Sequence, residues 1–250
     1  MNMFSWFRYD IIIAYWPLFM QGLWMTIKIT ALGITLGSLL GLGIGLSRLA
    51  EAKHGWAKYF LKFAVRWPST VYVTFFRGTP LFVQILLIHF ALMPLLIHPE
   101  SGWLISGEFA RFLKQEYGAF ISGSLALILN AAAYISEIFR AGIQSLDRGQ
   151  SEAARSLGLN YAQTMRFVII PQAFRRMLPP LGNEAIMLLK DSSLVSAIGL
   201  AEIAYAARSV AGTYSRYWEP YITISLMYLV LTMGLSWIVS RLEEKYGSGH

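Results

Sequence analysis

Tyr117–Ile135 reads YGAFISGSLALILNAAAYI, nineteen residues without one acidic or basic side chain. An α-helix rises about 1.5 Å per residue, so roughly 20 apolar residues cross a bilayer core about 30 Å thick. This stretch is long enough to span. Leu18–Leu46 is broken only by Lys28, Thr79–Ile97 only by His89, and Tyr221–Ile238 carries no charge. Leu178–Ala201 is the least apolar, because it holds Glu184, Lys190 and Asp191. Five spans are expected, at about 18–46, 79–97, 117–139, 178–201 and 220–240. The fold class is therefore all-α, a polytopic membrane protein forming a single transmembrane domain over residues 1–250. Residues 1–17 form a short N-terminal segment; Ile11-Ile12-Ile13 lies between Asp10 and Trp16-Pro17, too short to cross, and no cleavage site follows it.

Composition agrees. Hydrophobic residues are 56% of the chain and charged residues 14%, more apolar than a soluble domain can bury or a disordered chain contains. The absence of cysteine excludes disulfides, thiolate metal sites and cysteine nucleophiles. The net charge of +7 comes with no helix-turn-helix or zinc spacing, so no nucleic-acid partner is expected.

The cations are instead sorted by segment. Arg48, Lys53, Lys58, Lys62, Arg66 and Arg77 lie between spans one and two. Arg140, Arg148, Arg155, Arg166, Arg175 and Arg176 lie between spans three and four, and Arg241 and Lys245 follow span five. That is 14 on one side against 5 on the other, Arg8, Arg111, Lys114, Arg208 and Arg216. The expected orientation has the N-terminus outside and the C-terminus cytoplasmic. Lys58, Lys62 and Arg66 share one helical face among Tyr59, Phe60, Phe63 and Trp67, which reads as a helix along the cytoplasmic interface or as part of one long kinked helix. Thr79 can cap the helix that follows, with Pro80 in its first turn. Gly33, Gly37, Gly41 and Gly45, each four apart, form a smooth stripe for close packing within the chain or across a dimer. Lys28 is expected to snorkel to the outer headgroups and His89 to pack rather than bind metal.

Residues 144–177 are too polar to cross and too long for a turn. Within them Glu152-Ala153-Ala154 is followed by Gly158 and then Val168-Ile169-Ile170-Pro171. Ser151 can cap a short helix, Glu152 favours its positive end, Ala153 and Ala154 let another protein approach, and Gly158 suits the left-handed residue that ends it. The expected product is a two-turn knob between Gly149 and Gly158.

This spacing resembles the EAA loop of the membrane subunits of bacterial ABC importers, with Val168 for isoleucine and Ile170 for leucine. Phe76-Arg77-Gly78-Thr79-Pro80-Leu81, Ala133-Tyr134-Ile135-Ser136-Glu137-Ile138-Phe139-Arg140, Pro171-Gln172-Ala173-Phe174-Arg175-Arg176, Leu178-Pro179-Pro180-Leu181-Gly182-Asn183-Glu184, Leu188-Leu189-Lys190-Asp191-Ser192-Ser193-Leu194 and Ile198-Gly199-Leu200-Ala201-Glu202 resemble stretches of the polar amino-acid permeases, in order, over about residues 18–245. The stretch from Leu95 to Glu116 is longer than that family leads one to expect.

The resemblance implies a type I importer transmembrane domain in the bacterial cytoplasmic (inner) membrane. It implies two membrane subunits, identical or homologous, two ATPase subunits beneath them, and an extracytoplasmic amino-acid-binding protein. Ser151–Leu157 would be the coupling helix, with Glu152, Ala153, Ala154, Leu157 and Gly158 at the ATPase contact. The chain has no phosphate-binding Gly-x-x-x-x-Gly-Lys-Ser/Thr loop. No cofactor is expected on this chain and no catalytic or metal site; ATP and Mg belong to the ATPase subunits.

Charges inside a bilayer cost about 2.5–3.5 kcal/mol each, so they face protein or water. Glu184 and Asp191 are seven apart and share a helical face, which makes them pathway candidates with Ser192 and with Asn130, whose amide can grip a carboxylate or ammonium. The same residues also serve as structural partners, Lys190 with Glu137 or Glu184 for instance. Arg77, Glu137, Arg140 and Lys190 are read as structural or gating. An acidic pathway hints at a basic amino acid. The rival reading is a secondary carrier driven by an ion gradient.

Overall fold

The computed structural model describes residues 7–49 and 55–246. Lys53, His54 and His250 lie outside the described residues, as does the side chain of Lys58. Among the described residues the secondary structure is helical, apart from an isolated bridge between Ile97 and Ile105. In chain order the helices are α1 (Tyr9–Ala14), α2 (Trp16–Leu49), α3 (Trp56–Phe60), α4 (Trp67–Gly78), α5 (Leu81–Leu87), α6 (Met93–Leu96), α7 (Gly107–Gln144), α8 (Arg148–Ser156), α9 (Tyr161–Thr164), α10 (Ile170–Asp191), α11 (Ile203–Tyr214) and α12 (Trp218–Tyr246). Wide π-helical turns continue α3 into α4, α5 into α6 and α9 into α10, and a 3-10 segment, Ser192–Ile198, extends α10.

Three helices, α2, α7 and α12, are long and apolar enough to cross a membrane; the helical runs on either side of Thr79–Pro80, taken together, make a fourth candidate. The charged stretch expected around 178–201 is helical through Asp191 and carries Pro179 and Pro180 inside α10. At the break before α5, Pro80 itself occupies the cap position with extended backbone (ψ 135°), one residue later than the sequence suggests. Thr79 is instead an acceptor: its carbonyl and hydroxyl take the Gln84 amide Nε2 at 3.0 and 2.9 Å. The residues around Lys62 and Arg66 lie in a helical run from Trp56 to Gly78, and the chain restarts at Thr79–Pro80, where the runs on either side are bent by 110°.

The chain packs as two compact units, whose boundaries cut across α2, α7, α10 and α12. One contains Met1–Ile34, Thr79–Ile128 and Met187–Gly234. Its core gathers Ile11, Phe19, Ala206, Ala207 and Val210. The other contains Thr35–Gly78, Leu129–Ile186 and Leu235–His250, with a core of Leu146, Ile169, Ala173 and Met177. The glycine stripe of α2 is buried at all four positions. In the first unit a methyl on Gly33 would come within 2.9 Å of Leu188 Cδ2. In the second, a methyl on Gly41 would meet the Ala132 carbonyl oxygen at 2.9 Å, and one on Gly45 the Ser136 carbonyl oxygen at 3.0 Å. The stripe therefore packs α2 against its own chain.

Candidate functional site

The knob forms one turn earlier than its sequence suggests. Asp147, not Ser151, is the cap: its carboxylate accepts from the Gly149 amide at 2.8 Å. Aspartate is among the preferred capping residues, and its charge also suits the positive helix end. Ser151 sits inside α8, its hydroxyl donating to the Arg148 carbonyl at 2.9 Å. Glu152 is consequently mid-helix rather than at the positive end. The far end is as expected. Gly158 has φ +84°, and the amides of Gly158 and Leu159 donate to the carbonyls of Arg155 (2.9 Å) and Ala154 (3.1 Å). This paired closure satisfies the last free carbonyls. A capping box between Asn160 and Gln163 then starts α9 at once, so both ends of the knob are pinned.

The two alanines point in different directions. Ala154 is buried (4% exposed) while Glu152, Ala153, Arg155 and Ser156 are exposed, and Leu157 is 83% exposed. Ala154 seats α8 on its own unit; Ala153 and Leu157 form its outward face. A depression of about 470 Å³ flanks the helix, lined by Asp147, Arg148, Ser151, Arg155, Tyr161 and Met165 among others.

In the same unit one carboxylate gathers three arginines. Glu137 Oε2 accepts from Arg140 Nη2 at 2.6 Å and Nε at 3.1 Å. Its Oε1 accepts from Arg48 Nη1, and Arg77 Nη1 stands 3.9 Å from Oε2. Arg77 also lies over the Tyr134 ring at 5.4 Å. The ends of α2, α4 and α7 are thereby tied through one side chain that is 15% exposed. The pair of Glu137 with Arg140 was legible as an i,i+3 spacing; Arg48 came from a distant helix end that spacing does not reach, and these arginines, not Lys190, are the ion-pair partners found here for Glu137. Lys190 is exposed in the first unit.

The pathway candidates fall in both units. In the second, Asn130 is buried and its Nδ2 donates to the Phe76 carbonyl at 3.4 Å, and Glu184 is buried. In the first, Asp191 is half-buried at the end of α10 and Ser192 is buried, its hydroxyl donating to the Leu189 carbonyl at 2.7 Å. His89 bonds Ser122 Oγ through Nδ1 at 2.7 Å, and the Lys28 ammonium lies 5.9 Å from the Trp24 ring centroid. Among the described residues no group of three or more His, Asp or Glu is arranged to hold a metal.

Two buried acids carry more structure than their sequence context suggests. Glu202 is 0% exposed. It caps α11 by accepting from the Tyr205 amide at 2.8 Å, while its other oxygen accepts from Tyr228 Oη at 2.7 Å and Thr26 Oγ1 at 3.4 Å. Gly22 lets α2 approach, since a methyl there would stand 2.9 Å from the Glu202 carbonyl carbon. The sequence signal was an acid placed just before an apolar helical run, after Gly199. Glu219, 1% exposed, pairs with Arg216 and accepts from the Arg8 amide at 3.2 Å. Only the three-residue spacing to Arg216 announced it.

Known proteins resemble the chain over nearly its whole length. It is 35% identical to the arginine transport system permease protein ArtQ of Bacillus subtilis (strain 168), over 93% of this chain and 94% of that one. It is 34% identical to the glutamine transport system permease protein GlnP of Escherichia coli (strain K12), over 92% and 93%. The crystal structure of an amino acid ABC transporter with histidines superposes with a TM-score of 0.77 at 40% identity, covering 94% of this chain and 96% of that one. Inward-facing MetNI methionine ABC transporter shares the fold at 17% identity and a TM-score of 0.70, covering 92% and 97%. Residues 43–248 match the family described as binding-protein-dependent transport system inner membrane component. A match over most of the chain, with relatives above 30% identity end to end, shows that this chain belongs to that family: it is a multi-pass membrane permease of the ABC importer type, a transport component rather than an enzyme.

Proposed function

We propose that the chain forms, with a second identical or homologous permease, the pathway by which a polar amino acid enters a bacterium across the cytoplasmic membrane. Two separate ATPase subunits, which hold ATP and Mg, drive it, and an extracytoplasmic binding protein delivers the substrate. The observation that carries this reading is α8, a short helix pinned at both ends that turns a small and an apolar residue, Ala153 and Leu157, outward. A rigid knob of that shape transmits force; a loop of the same length would absorb it. Glu152, Ala153 and Leu157 form its contact face, and Ala154 and Gly158 hold its shape. The relatives in hand lend no support to an ion-driven carrier.

Charge sorting supports five spans with the N-terminus outside. The unit containing α8 holds 14 Lys+Arg against 7 Asp+Glu, and the other unit 7 against 7. Two thirds of the Lys and Arg thus fall in one unit, in keeping with the positive-inside tendency for a cytoplasmic one. Asn130, Glu184, Asp191 and Ser192 line the pathway in this reading. Arg77, Glu137 and Arg140 brace the helix ends that must move together, and Lys190 serves as a structural partner or gate. The acids favour a basic amino acid, in keeping with the arginine permease among the relatives.

Proteoliposomes holding the full transporter test the reading. Ala153→Glu and Leu157→Asp are expected to leave the melting temperature unchanged and to uncouple ATP hydrolysis from uptake. Ala154→Glu is a poor probe of docking, because a charge there is buried in the permease itself. Uptake that stays coupled in both exposed-face variants, or that runs on an ion gradient without ATP, defeats the proposal. Glu184→Gln with unchanged uptake removes Glu184 from the pathway.

A further inference from the structure

The long stretch after α6 folds as a tight loop. The Leu95 carbonyl accepts from the Trp103 amide at 2.9 Å, the Leu96 carbonyl from Leu104 (3.0 Å) and Ile105 (3.1 Å), and the Pro99 carbonyl from Gly107 at 2.8 Å. Its tip is apolar nonetheless: Trp103 is 82% exposed and Leu104 74%. Phe109 and Phe112 then continue the exposed apolar row into α7. Beside the loop, within the same unit, lies a cleft of about 350 Å³ walled by Phe90, Met93, Pro94, Ile97, Leu113 and Ile121. It opens where the π-helical turn Ile88–Leu92 shifts the helix register, a feature often found at functional sites. Gly118 leaves room in it, for a methyl there would meet only Lys114 Cγ, at 4.0 Å. Lys114 also lines the cleft and is exposed, one turn beyond the Glu108–Arg111 ion pair (2.9 Å).

We propose that this cleft holds an acyl chain of a phospholipid with a net negative headgroup, whose uncompensated charge pairs with Lys114, and that Trp103 and Leu104 anchor the loop in the headgroup layer. One wall belongs to α7, which is long and apolar enough to cross a membrane, and the other to the run Leu81–Leu96, which qualifies together with Leu61–Gly78; a lipid is therefore the amphiphile at hand. A narrow apolar slot with a cation at its mouth matches an amphiphile with an anionic head. A peptide would bring a row of backbone amides, and among the described residues His89 and Lys114 are the only polar side chains lining the cleft to meet them. Tryptophan at the tip suits the interface, where its ring is half wetted.

The test uses the permease with its ATPase partner, purified in mild detergent, stripped of lipid and titrated with palmitoyl-oleoyl-phosphatidylglycerol under native mass spectrometry. One bound lipid per permease chain is expected. Lys114→Gln should weaken it about fivefold, the worth of one basic residue near an anionic headgroup. Gly118→Leu or Ile121→Trp should abolish it, with the melting temperature showing that the fold survives. Where those two fail to fold, the exposed Lys114→Gln alone decides. Quenching by brominated lipid should fall in Trp103→Phe. Retention of phosphatidylglycerol by Gly118→Leu and Ile121→Trp overturns the proposal. So does equal binding of phosphatidylcholine or of inorganic phosphate alone, or a change in the number of permease copies per complex as the only effect of the cleft variants.

Discussion

Two glycines of α2, two residues apart, are expected to respond with opposite sign to the same substitution. Alanine exceeds glycine in helix propensity by about 0.8–1.0 kcal/mol in a helix interior. At Gly43 nothing lies within 4 Å of the added methyl, so Gly43→Ala should stabilise by about that amount. At Gly41 the methyl stands 2.9 Å from both the Ala132 carbonyl oxygen and Ile135 Cγ2. One of those atoms is backbone and cannot rotate away. Overpacking of a tight core costs about 1–3 kcal/mol, so after the propensity gain Gly41→Ala should destabilise by about 1 kcal/mol. The gap between the variants is then about 2 kcal/mol, which at roughly 2–4 °C per kcal/mol for a chain of this size is about 4–8 °C. Thermal unfolding followed by tryptophan fluorescence reads it directly, since the chain has eight tryptophans and no cysteine for thiol dyes. Equal shifts for the two variants, or Gly41→Ala the more stable, would show that the stripe does not pack α2 against its own chain.

Glu137→Gln should cost about 1–3 kcal/mol, because it leaves Arg48, Arg77 and Arg140 facing one another without the carboxylate; a cycle with Arg48→Ala should show coupling, and additive costs would dissolve the cluster. Tyr228→Phe should cost about 1.5–3 kcal/mol through the lost bond to buried Glu202, whereas Tyr217→Phe, an exposed ring, should melt as the parent does. The Asp10 carboxylate, hydrogen-bonded to the exposed Arg8 guanidinium at 2.5 Å, is held below its ordinary value. Its contribution is therefore complete above the unfolded value near 3.9 and fades as pH falls through the lower folded value. Since water screens the pair, Asp10→Asn should leave the melting temperature at pH 7 unchanged in ordinary salt, and a clear drop would contradict that screening.

Much of the fold was legible because a bilayer demands apolar length, which sequence displays openly. Local signals served well where the chain answers only to itself, as at Gly158 and in the i,i+3 pair of Glu137 and Arg140. They erred by a residue or a turn at helix starts, where more than one neighbouring residue can take the cap position. Asp147 took the cap from Ser151, and Pro80 took the cap position from Thr79. The direction of Ala153 against Ala154 was beyond the motif, since both are small and the docked and seated faces differ only in what packs beneath them.

The sequence by itself determined the helical class, the membrane setting, the charge asymmetry and the place of the knob, because each depends on the order of residue types along the chain. Tertiary structure decided which acids are buried and by whom they are held. Glu202 meets Thr26 and Tyr228, 176 and 26 residues away, and Glu137 meets Arg48, 89 residues away. No spacing rule reaches across such distances; only helices brought side by side by their glycines and alanines set these charges within reach of one another.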